Sequence, residues 1–363
     1  MFLGRARVTA AVGSWYHAGM AGKSFLRLPS RRRAVIGGAI LVLVIVGYLL
    51  WSPGTVITDG RHDLGHNGIW MAHGYLGDDA WFARNGRTDA GAYRDAVRLK
   101  ATAEVLRRNH ITDLFSHLCP AEVGGKLPGV DEAQVERFLD AFAGPEFRVL
   151  PWVGGVTSGT AAMESPAWRG NFARSCGELL ARHPRLAGVH LNLEPCASGD
   201  AGFLALLTEM RAALPAGKMI SVAAYPPPTV WQRVPAVHWE EGYFRQVAGR
   251  CDQMVVMMYD TGLHNRRLYQ NLLRSWTQEV LKWSGKTPVL LGVPAYEDGG
   301  AEYHDAGVEN IGFSLAGIHA GLLACGEVPG NYQGVALYSQ WTMTEGKWEA
   351  FQAGFVGRGE KER

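Results

Sequence analysis

The sequence predicts a (β/α)8 TIM barrel of the α/β class, preceded by a single N-terminal transmembrane helix. Eight short runs rich in Val, Leu and aromatic residues follow Gly60, and helix-like stretches separate most of them. Eight strand–helix repeats over about 300 residues match the length of a closed barrel. The chain contains no Gly-x-Gly-x-x-Gly after the first strand and no Gly-x-x-x-x-Gly-Lys-Ser/Thr, which argues against an open nucleotide-binding sheet.

The first predicted element is the apolar run 34–51 (AVIGGAILVLVIVGYLLW), which carries no charge. A helix of this length, at about 1.5 Å per residue, just spans the hydrocarbon core of a bilayer. Only Lys and Arg charges precede the run, and the first acidic residue of the chain is Asp59. The positive-inside rule therefore predicts a membrane anchor with a cytoplasmic N-terminus and an exported barrel, periplasmic or extracellular. A cleaved signal peptide is the alternative, although LLWSPGTVI offers a poor cleavage site.

These features give the predicted domain boundaries. They are a basic cytoplasmic segment (1–33), the transmembrane anchor (34–51), a linker (52–65), the barrel (66–356) and a charged tail (357–363). Without the seven cations of the basic segment, 29 basic and 34 acidic residues remain, a net charge of −5. A mildly acidic domain does not attract nucleic acid, so we expect no nucleic-acid partner. The five cysteines form no Cys-x-x-Cys pair, and their disulfide pairing stays open.

The eight predicted strands fix where polar residues meet. They begin at Gly68, Ile111, Phe147, Ala187, Met219, Asp252, Pro288 and Gly334. Barrel enzymes carry their active sites at the C-terminal ends of the strands. Those ends contain His73, His117, Gly154, Gly155, Glu194, Tyr225, Tyr259, Asp260, Tyr296, Glu297, Gln340 and Trp341. Carboxylates, aromatic rings and tandem glycines are therefore expected around one mouth of the barrel.

The fourth strand (187–195, AGVHLNLEP) carries the clearest chemical signal. Side chains alternate along a strand, so His190, Asn192 and Glu194 share one face and three aliphatic residues share the other. The aliphatic face must pack on the helices, which directs the polar face into the barrel. Burying an unpaired polar group costs about 1 to 3 kcal/mol, so this pattern indicates a functional site centred on Glu194.

The chain resembles the family 18 glycoside hydrolases, the chitinases and related enzymes, whose fourth strand carries Asp-x-x-Asp-x-Asp-x-Glu. Glu194 keeps the glutamate, whereas Ala187, His190 and Asn192 replace the three aspartates. Four further signatures follow the family's order, namely VGG at 153–155, MMYD at 257–260, LGVPAY at 291–296 and the strand-eight tryptophan Trp341. Together they cover nearly the whole predicted barrel.

The resemblance implies substrate-assisted, retaining hydrolysis of β-linked N-acetylhexosamine glycans, such as peptidoglycan or chitin-like polymers. Glu194 would be the general acid and later the base, because an apolar rim raises the pKa of a carboxyl. Tyr259 would donate a hydrogen bond to the acetamido oxygen, Asp260 would bind sugar hydroxyls, and Trp341 would form the floor under the sugar. The remaining substrate-binding candidates are His190, Tyr296, Gly154 and Gly155. No cofactor and no metal is expected.

The replaced aspartates leave alternatives open. Asn192 brings no charge, yet Asn192-Leu193-Glu194 is similar to the Asn-x-Glu pair of the family 85 endo-β-N-acetylglucosaminidases. A catalytically degenerate carbohydrate-binding barrel is the main alternative, and a membrane-tethered protein scaffold is a third. His190 could hydrogen-bond Asn192 within the core. Arg266 and Arg267 could clamp an anionic sugar substituent or be ordinary loop residues.

Overall fold

The computed structural model describes residues 31–230, 232–297 and 303–357. The chain divides into two compact units between Trp51 and Ser52. Helix α1 (Arg31–Leu50) belongs to the first unit and lies where the transmembrane helix was predicted. Within the described ranges, however, no helix combines the length and the apolar character needed to cross a bilayer. Most of the predicted basic segment, 1–30, and the tail residues 358–363 lie outside the described residues.

The second unit contains one parallel sheet. Its strands in the described residues are β1 (Asn67–Met71), β2 (Ile111–Ser116), β3 (Arg148–Val149), β4 (Trp152–Val156), β5 (Gly188–Glu194), β6 (Met219–Ala224), β7 (Gln253–Val256), β8 (Val289–Pro294) and β9 (Tyr332–Tyr338). They pair in the order β3-β2-β1-β9-β8-β7-β6-β5-β4. Each of the eight predicted strands is confirmed, the third being split into β3 and β4.

The split third strand joins the two ends of the sheet. β3 pairs with β2, β4 pairs with β5, and a parallel bridge links His117 to Trp152. Leu150 and Pro151 separate the two halves, and proline has no backbone N–H to donate to a ladder. Segment 148–156 therefore contacts a neighbour on each side, as a strand of the predicted TIM-like barrel must.

The helices alternate with the strands. They are α2 (Asp79–Arg84), α3 (Ala96–Arg108), α4 (Glu132–Ala141), α5 (Pro166–Arg182), α6 (Ala201–Ala213), α7 (Glu241–Ala248), α8 (Arg266–Trp283), α9 (Ile311–Ala324) and α10 (Glu345–Phe351). Asp, Ser or Asn side chains accept backbone N–H groups at the starts of α3, α4, α5, α6, α8 and α9. Such caps satisfy N–H groups that have no partner inside the helix, so the sequence defines where these six helices begin.

The core has two layers, and β5 shows how they separate. Val189, Leu191 and Leu193 belong to the large cluster between the sheet and the helices. A smaller cluster fills the barrel interior, with Trp70, Phe115, Leu150, Trp152, Val255, Leu290 and Ala336. His190 lies on this inner side, with its ring stacked on Phe115 at a centroid distance of 4.0 Å. The predicted alternation of β5 therefore holds, and its polar face is directed inward.

The segment predicted as a linker, 52–65, belongs to the second unit and packs on its helices and strands. The Thr55 backbone N–H donates to Ala316 O at 2.8 Å, and the Tyr332 hydroxyl donates to His62 O at 3.0 Å. His62 Nδ1 lies 2.8 Å from His319 Nδ1, and His319 Nε2 lies 2.8 Å from Gly354 O. This buried histidine pair connects the approach to β1 with α9 and the C-terminal end of the unit.

Candidate active site

Glu194 ends β5 at the mouth of the barrel, where its side chain is crowded by protein and still reachable from solvent. Burial raises the pKa of Glu194, a hydrogen bond with Asn192 opposes that rise, and the negative charge of Asp260 adds to it. The net shift is upward. Glu194 therefore keeps its proton to a higher pH than an ordinary glutamate, which is the property that a general acid needs.

Asn192 lies one interior position below Glu194 on β5. Its amide lies near enough to the Glu194 carboxyl to lower the pKa of that group, and the amide N–H is the part of the side chain that can donate to it. The amide oxygen Oδ1 is buried and has no hydrogen-bond partner among the described residues. A buried acceptor without a donor is uncommon in folded proteins, and an N–H group of a ligand bound here would supply the missing hydrogen bond.

His190 lies below the mouth, and the structure does not bring it to a position facing substrate. Its Nε2 accepts the Trp70 indole N–H at 3.1 Å, and its Nδ1 lies 2.9 Å from Ser221 Oγ. Ser221 in turn donates to Gln253 Oε1 at 2.8 Å, and Gln253 donates to Asp113 at 2.6 Å. Burial lowers the pKa of His190 to about 3. A neutral histidine thus stands where the family 18 glycoside hydrolases carry an inner aspartate, and its partners are Trp70 and Ser221 rather than Asn192.

Four aromatic side chains form one wall of the mouth. Tyr338 is the central ring, and its centroid lies 5.6 Å from Tyr259, 5.4 Å from Tyr296 and 5.6 Å from Trp341. Burial raises the pKa of Tyr259 well above its ordinary value, so its hydroxyl stays protonated and can donate. Trp341 is 45% exposed and lies at the outer end of the wall.

The sequence prediction missed Tyr338, which is the last residue of β9. Burial raises the pKa of Tyr338, and the charges of Glu194 and Asp260 raise it further, which places its ring beside both carboxyl groups. Trp341 falls in a short 3₁₀ turn, Gln340–Thr342, beyond the strand. The available signal was strand alternation: Tyr338 shares the inward face with Ala336, a residue of the inner cluster.

Asp260 lies at the mouth just beyond β7, and several groups fix it. The Tyr296 hydroxyl donates to Asp260 Oδ1, and His304 Nδ1 lies 3.1 Å from the same oxygen. The Asp260 backbone N–H donates to Glu309 Oε2 at 2.6 Å. Sequence reasoning found Asp260 and Tyr296 and missed His304 and Glu309, which follow Asp260 by 44 and 49 residues and lie in no recognisable motif.

The tandem glycines have a packing role. Gly154 has a φ of +144°, and a Cβ at this position would lie 1.9 Å from the carbonyl oxygen of Asn192. A Cβ on Gly155 would lie 2.6 Å from Thr160 Oγ1. Both glycines therefore permit close backbone approach, and Gly154 in particular allows β4 to lie against the site strand β5.

A second group of rings, apart from the aromatic wall, lies in a row at the ends of β1 and β2. His73 stacks on Trp81 at a centroid distance of 3.7 Å and lies 3.6 Å from the His117 ring. His117 lies 4.0 Å from the ring of Trp152. Burial lowers the pKa of His73 and of His117, so both rings are neutral near pH 7. Arg266, a residue of the suggested clamp, lies over the ring of Phe313, outside this row.

Comparison with known proteins supports the fold. No protein-family model matches the chain, and no characterised protein matches it in sequence. A chitinase structure from Chromobacterium violaceum matches with a TM-score of 0.53 and 14% identity over 80% of this chain and 99% of that one. The spore cortex-lytic enzyme SleL of Bacillus cereus matches with a TM-score of 0.51 and 10% identity over 72% of each chain. A class V chitinase of Pseudomonas fluorescens matches with a TM-score of 0.51 and 15% identity, over 79% of this chain and 99% of that one. The predicted chitinase-like barrel is thus confirmed as a fold.

Proposed function

We propose that this chain is a glycoside hydrolase that cleaves β-linked N-acetylhexosamine glycans, with Glu194 as the general acid and base. The observation that carries the proposal is the position of Glu194, a carboxyl with a raised pKa at the barrel mouth, next to Asn192 and Asp260. The names of the structural neighbours, chitinases and a spore cortex-lytic enzyme, support chitin-like glycans or peptidoglycan as the substrate class.

In the proposed reaction, Glu194 gives its proton to the glycosidic oxygen as the bond to the anomeric carbon breaks. The carbonyl oxygen of the substrate's own acetamido group attacks that carbon and forms a cyclic oxazolinium ion. Asn192 Oδ1 accepts the acetamido N–H and holds the group in place, while the Tyr259 hydroxyl donates to the acetamido oxygen. Ionised Glu194 then takes a proton from a water molecule, whose oxygen attacks the anomeric carbon. The bond between that carbon and the acetamido oxygen breaks, so the oxazolinium ring opens and the anomeric configuration is retained overall.

Charge at the site favours this reaction although position 192 is neutral. The oxazolinium ion is a cation, and a carboxylate near it stabilises it electrostatically. Asp260 is the nearby carboxyl group whose charge already affects Glu194. In this proposal Asp260 supplies the negative charge and Asn192 supplies only orientation.

The second candidate function is a carbohydrate-binding barrel without catalysis. It is favoured by one observation, the absence of carboxyl groups from Asn192 and His190, where the family it resembles has aspartates. Such a barrel would bind N-acetylglucosamine oligosaccharides and leave them intact.

The deciding experiment compares the full-length chain with Glu194→Gln on N-acetylglucosamine oligosaccharides and on peptidoglycan, with products read by mass spectrometry. We expect the variant to lose turnover by about 10²- to 10⁴-fold, the usual contribution of a general acid. Glu279→Gln, on the outer helix α8, is the matched control and should cleave at the normal rate. Equal rates in wild type and Glu194→Gln would exclude Glu194 from the mechanism. Binding without cleavage in the wild type would favour the second candidate.

We also propose that the barrel is exported and stays attached to the membrane through its N-terminal segment. The support is the uncharged run 34–51 behind a segment whose only charges are basic. Membrane fractionation with alkaline extraction, together with protease accessibility on intact cells, tests this. Recovery of the full-length chain in the cytosolic fraction would contradict it.

A further inference from the structure

The turn that carries Asp260 is held in an unfavourable backbone conformation. Asp260 has a φ of +61°, which side chains other than glycine adopt rarely. Glu309 fastens the turn: its Oε2 accepts the Asp260 N–H at 2.6 Å, and its Oε1 accepts the Thr261 N–H at 3.0 Å and the Thr261 hydroxyl at 2.8 Å. Glu309 is fully buried, so these bonds are shielded from water.

His304 lies between the two carboxyl groups, and its side chain is fully buried. Nδ1 lies 3.1 Å from Asp260 Oδ1 and 3.7 Å from Glu309 Oε2, and Nε2 lies 3.3 Å from the Tyr296 carbonyl oxygen. A carbonyl oxygen can only accept, and so can an ionised carboxylate. Both ring nitrogens must therefore donate, and only the doubly protonated imidazolium can do this.

The charge balance of the cluster leads to the same protonation state. Within the described residues, His304 is the one basic side chain within ion-pair distance of Glu309. A buried carboxylate without a counter-charge is strongly disfavoured, so Glu309 requires that cation. Burial by itself lowers the pKa of His304, but hydrogen bonds to Asp260 and Glu309 outweigh this and raise it to about 9.

We propose that His304 is a protonated positioning residue that, together with Glu309, fixes the position and the direction of Asp260 at the barrel mouth. Its effect on glycan turnover rests on the proposed function, whereas its protonation state does not. The other titratable groups that interact with the cluster are Glu194, Tyr259, Tyr338, Tyr296 at the end of β8, Tyr269 of α8 and the adjacent Asp305.

A bound metal ion is the competing explanation of the cluster. One ligand atom from each of Asp260, His304 and Glu309 lies within 4.8 Å of the others, a spacing that could hold a cation. The two oxygens of Glu309 are, however, already occupied by N–H and O–H donors from Asp260 and Thr261. An imidazolium preserves all of these bonds, whereas a metal ion would compete for the same oxygens.

The first test uses side-chain ¹⁵N–¹H correlation NMR of the full-length chain, with His304 assigned from its contacts with the Tyr296 ring. We expect both nitrogens of His304 to carry protons at pH 7.5 and to titrate near pH 9. His190, whose pKa burial lowers, serves as the internal reference and should be neutral throughout. A neutral His304 at pH 7.5 would overturn the proposal. This arm needs no variant and no activity.

The second test separates positioning from general stability. His304→Gln should lower kcat for N-acetylglucosamine oligosaccharides about tenfold with a smaller change in KM, because a misdirected Asp260 stabilises the oxazolinium ion less well. His264→Gln is the matched control, since His264 is exposed and pairs with Asp305 on the neighbouring loop. An unchanged kcat in His304→Gln would overturn the positioning role. If the wild type cleaves no glycan, the proposed function fails, and the same variants are compared by calorimetric oligosaccharide binding.

The third test addresses the metal explanation. Calorimetric titration of the wild type with Zn²⁺ and with Mn²⁺ should give no stoichiometric uptake that depends on His304. Uptake of one ion per chain that disappears in His304→Gln would show that the cluster is a metal site, and the proposal of a protonated His304 would be wrong.

Discussion

Tyr338 lies beside Tyr259 with ring centroids 5.6 Å apart and ring planes inclined by 23°. The two ring planes are nearly parallel, and the charge of Glu194 affects the pKa of both hydroxyls. A pyranose ring presents C–H groups on its face, and such a surface packs well on an aromatic ring. In the proposed reaction we therefore expect Tyr338, rather than the more exposed Trp341, to form the floor under the sugar.

This assignment predicts different effects for two alanine substitutions. Tyr338→Ala should lower kcat/KM for N-acetylglucosamine oligosaccharides about tenfold or more, which corresponds to about 1.4 kcal/mol of lost transition-state binding. Trp341→Ala should lower it by less than about threefold, since Trp341 lies at the outer end of the wall. Tyr338→Phe keeps the ring and should retain most activity. A larger loss in Trp341→Ala than in Tyr338→Ala would restore the tryptophan as the floor.

A charge placed at position 192 should change the pH dependence of the reaction. In Asn192→Asp, the negative charge of the new carboxylate disfavours ionisation of Glu194. The substitution also removes the amide donor that lowers the pKa of Glu194. Both effects raise that pKa. The alkaline limb of the kcat/KM profile should move up by about one pH unit. Asn171→Asp, on α5, adds the same charge away from the mouth and should leave the limb in place. An unmoved limb in Asn192→Asp would mean that Glu194 is not the titrating acid.

Gly154→Ala should destabilise the barrel at the site strand. The new methyl group would meet the Asn192 carbonyl oxygen, and the φ of +144° is unfavourable for alanine. Strain and overpacking together should lower the free energy of unfolding by about 2 to 5 kcal/mol, measured by urea denaturation. Gly129→Ala is the control, because nothing lies within 4 Å of its added Cβ. A Gly154→Ala variant as stable as the control would show that β4 can move away from β5.

Acid should weaken the packing of the segment before β1. Burial lowers the pKa of His62 to about 4 and also lowers the pKa of His319, so the folded state favours both rings neutral. Their contribution is fully present above the ordinary histidine pKa near 6.5 and is lost as the pH falls from there through about 4. A few kcal/mol should be lost, since one pKa unit corresponds to about 1.4 kcal/mol.

The measurement is urea denaturation at pH 7 and pH 5. The His62→Gln/His319→Gln double variant should lose less stability between these pH values than the wild type, although it starts from a lower value at pH 7. His66→Gln, at an exposed position four residues after His62, should keep the wild-type difference. If the double variant and the wild type lose the same stability between pH 7 and pH 5, the histidine pair is not the acid-sensitive contact.

The sequence predicts the barrel well because its strands and caps are local signals. Alternation on β5 identifies Asn192 and Glu194, and the order of the short motifs identifies Tyr259 and Asp260. His304 and Glu309 give no such signal, because their role depends on a contact between two segments far apart in the chain. Tyr338 was missed for a related reason. The 3₁₀ turn after β9 carries Trp341 to the outer end of the aromatic wall and leaves Tyr338 at its centre, and residue spacing does not reveal that turn.

A chain of hydrogen bonds connects Trp70, His190, Ser221 and Gln253, and each of these groups donates to the next one. An indole N–H stands at its upper end, and this group neither releases nor takes up a proton under ordinary conditions. This network therefore offers Glu194 no proton relay through the barrel core. In the proposed reaction the attacking water returns a proton to Glu194 within the same turnover, so the acid is restored without such a relay.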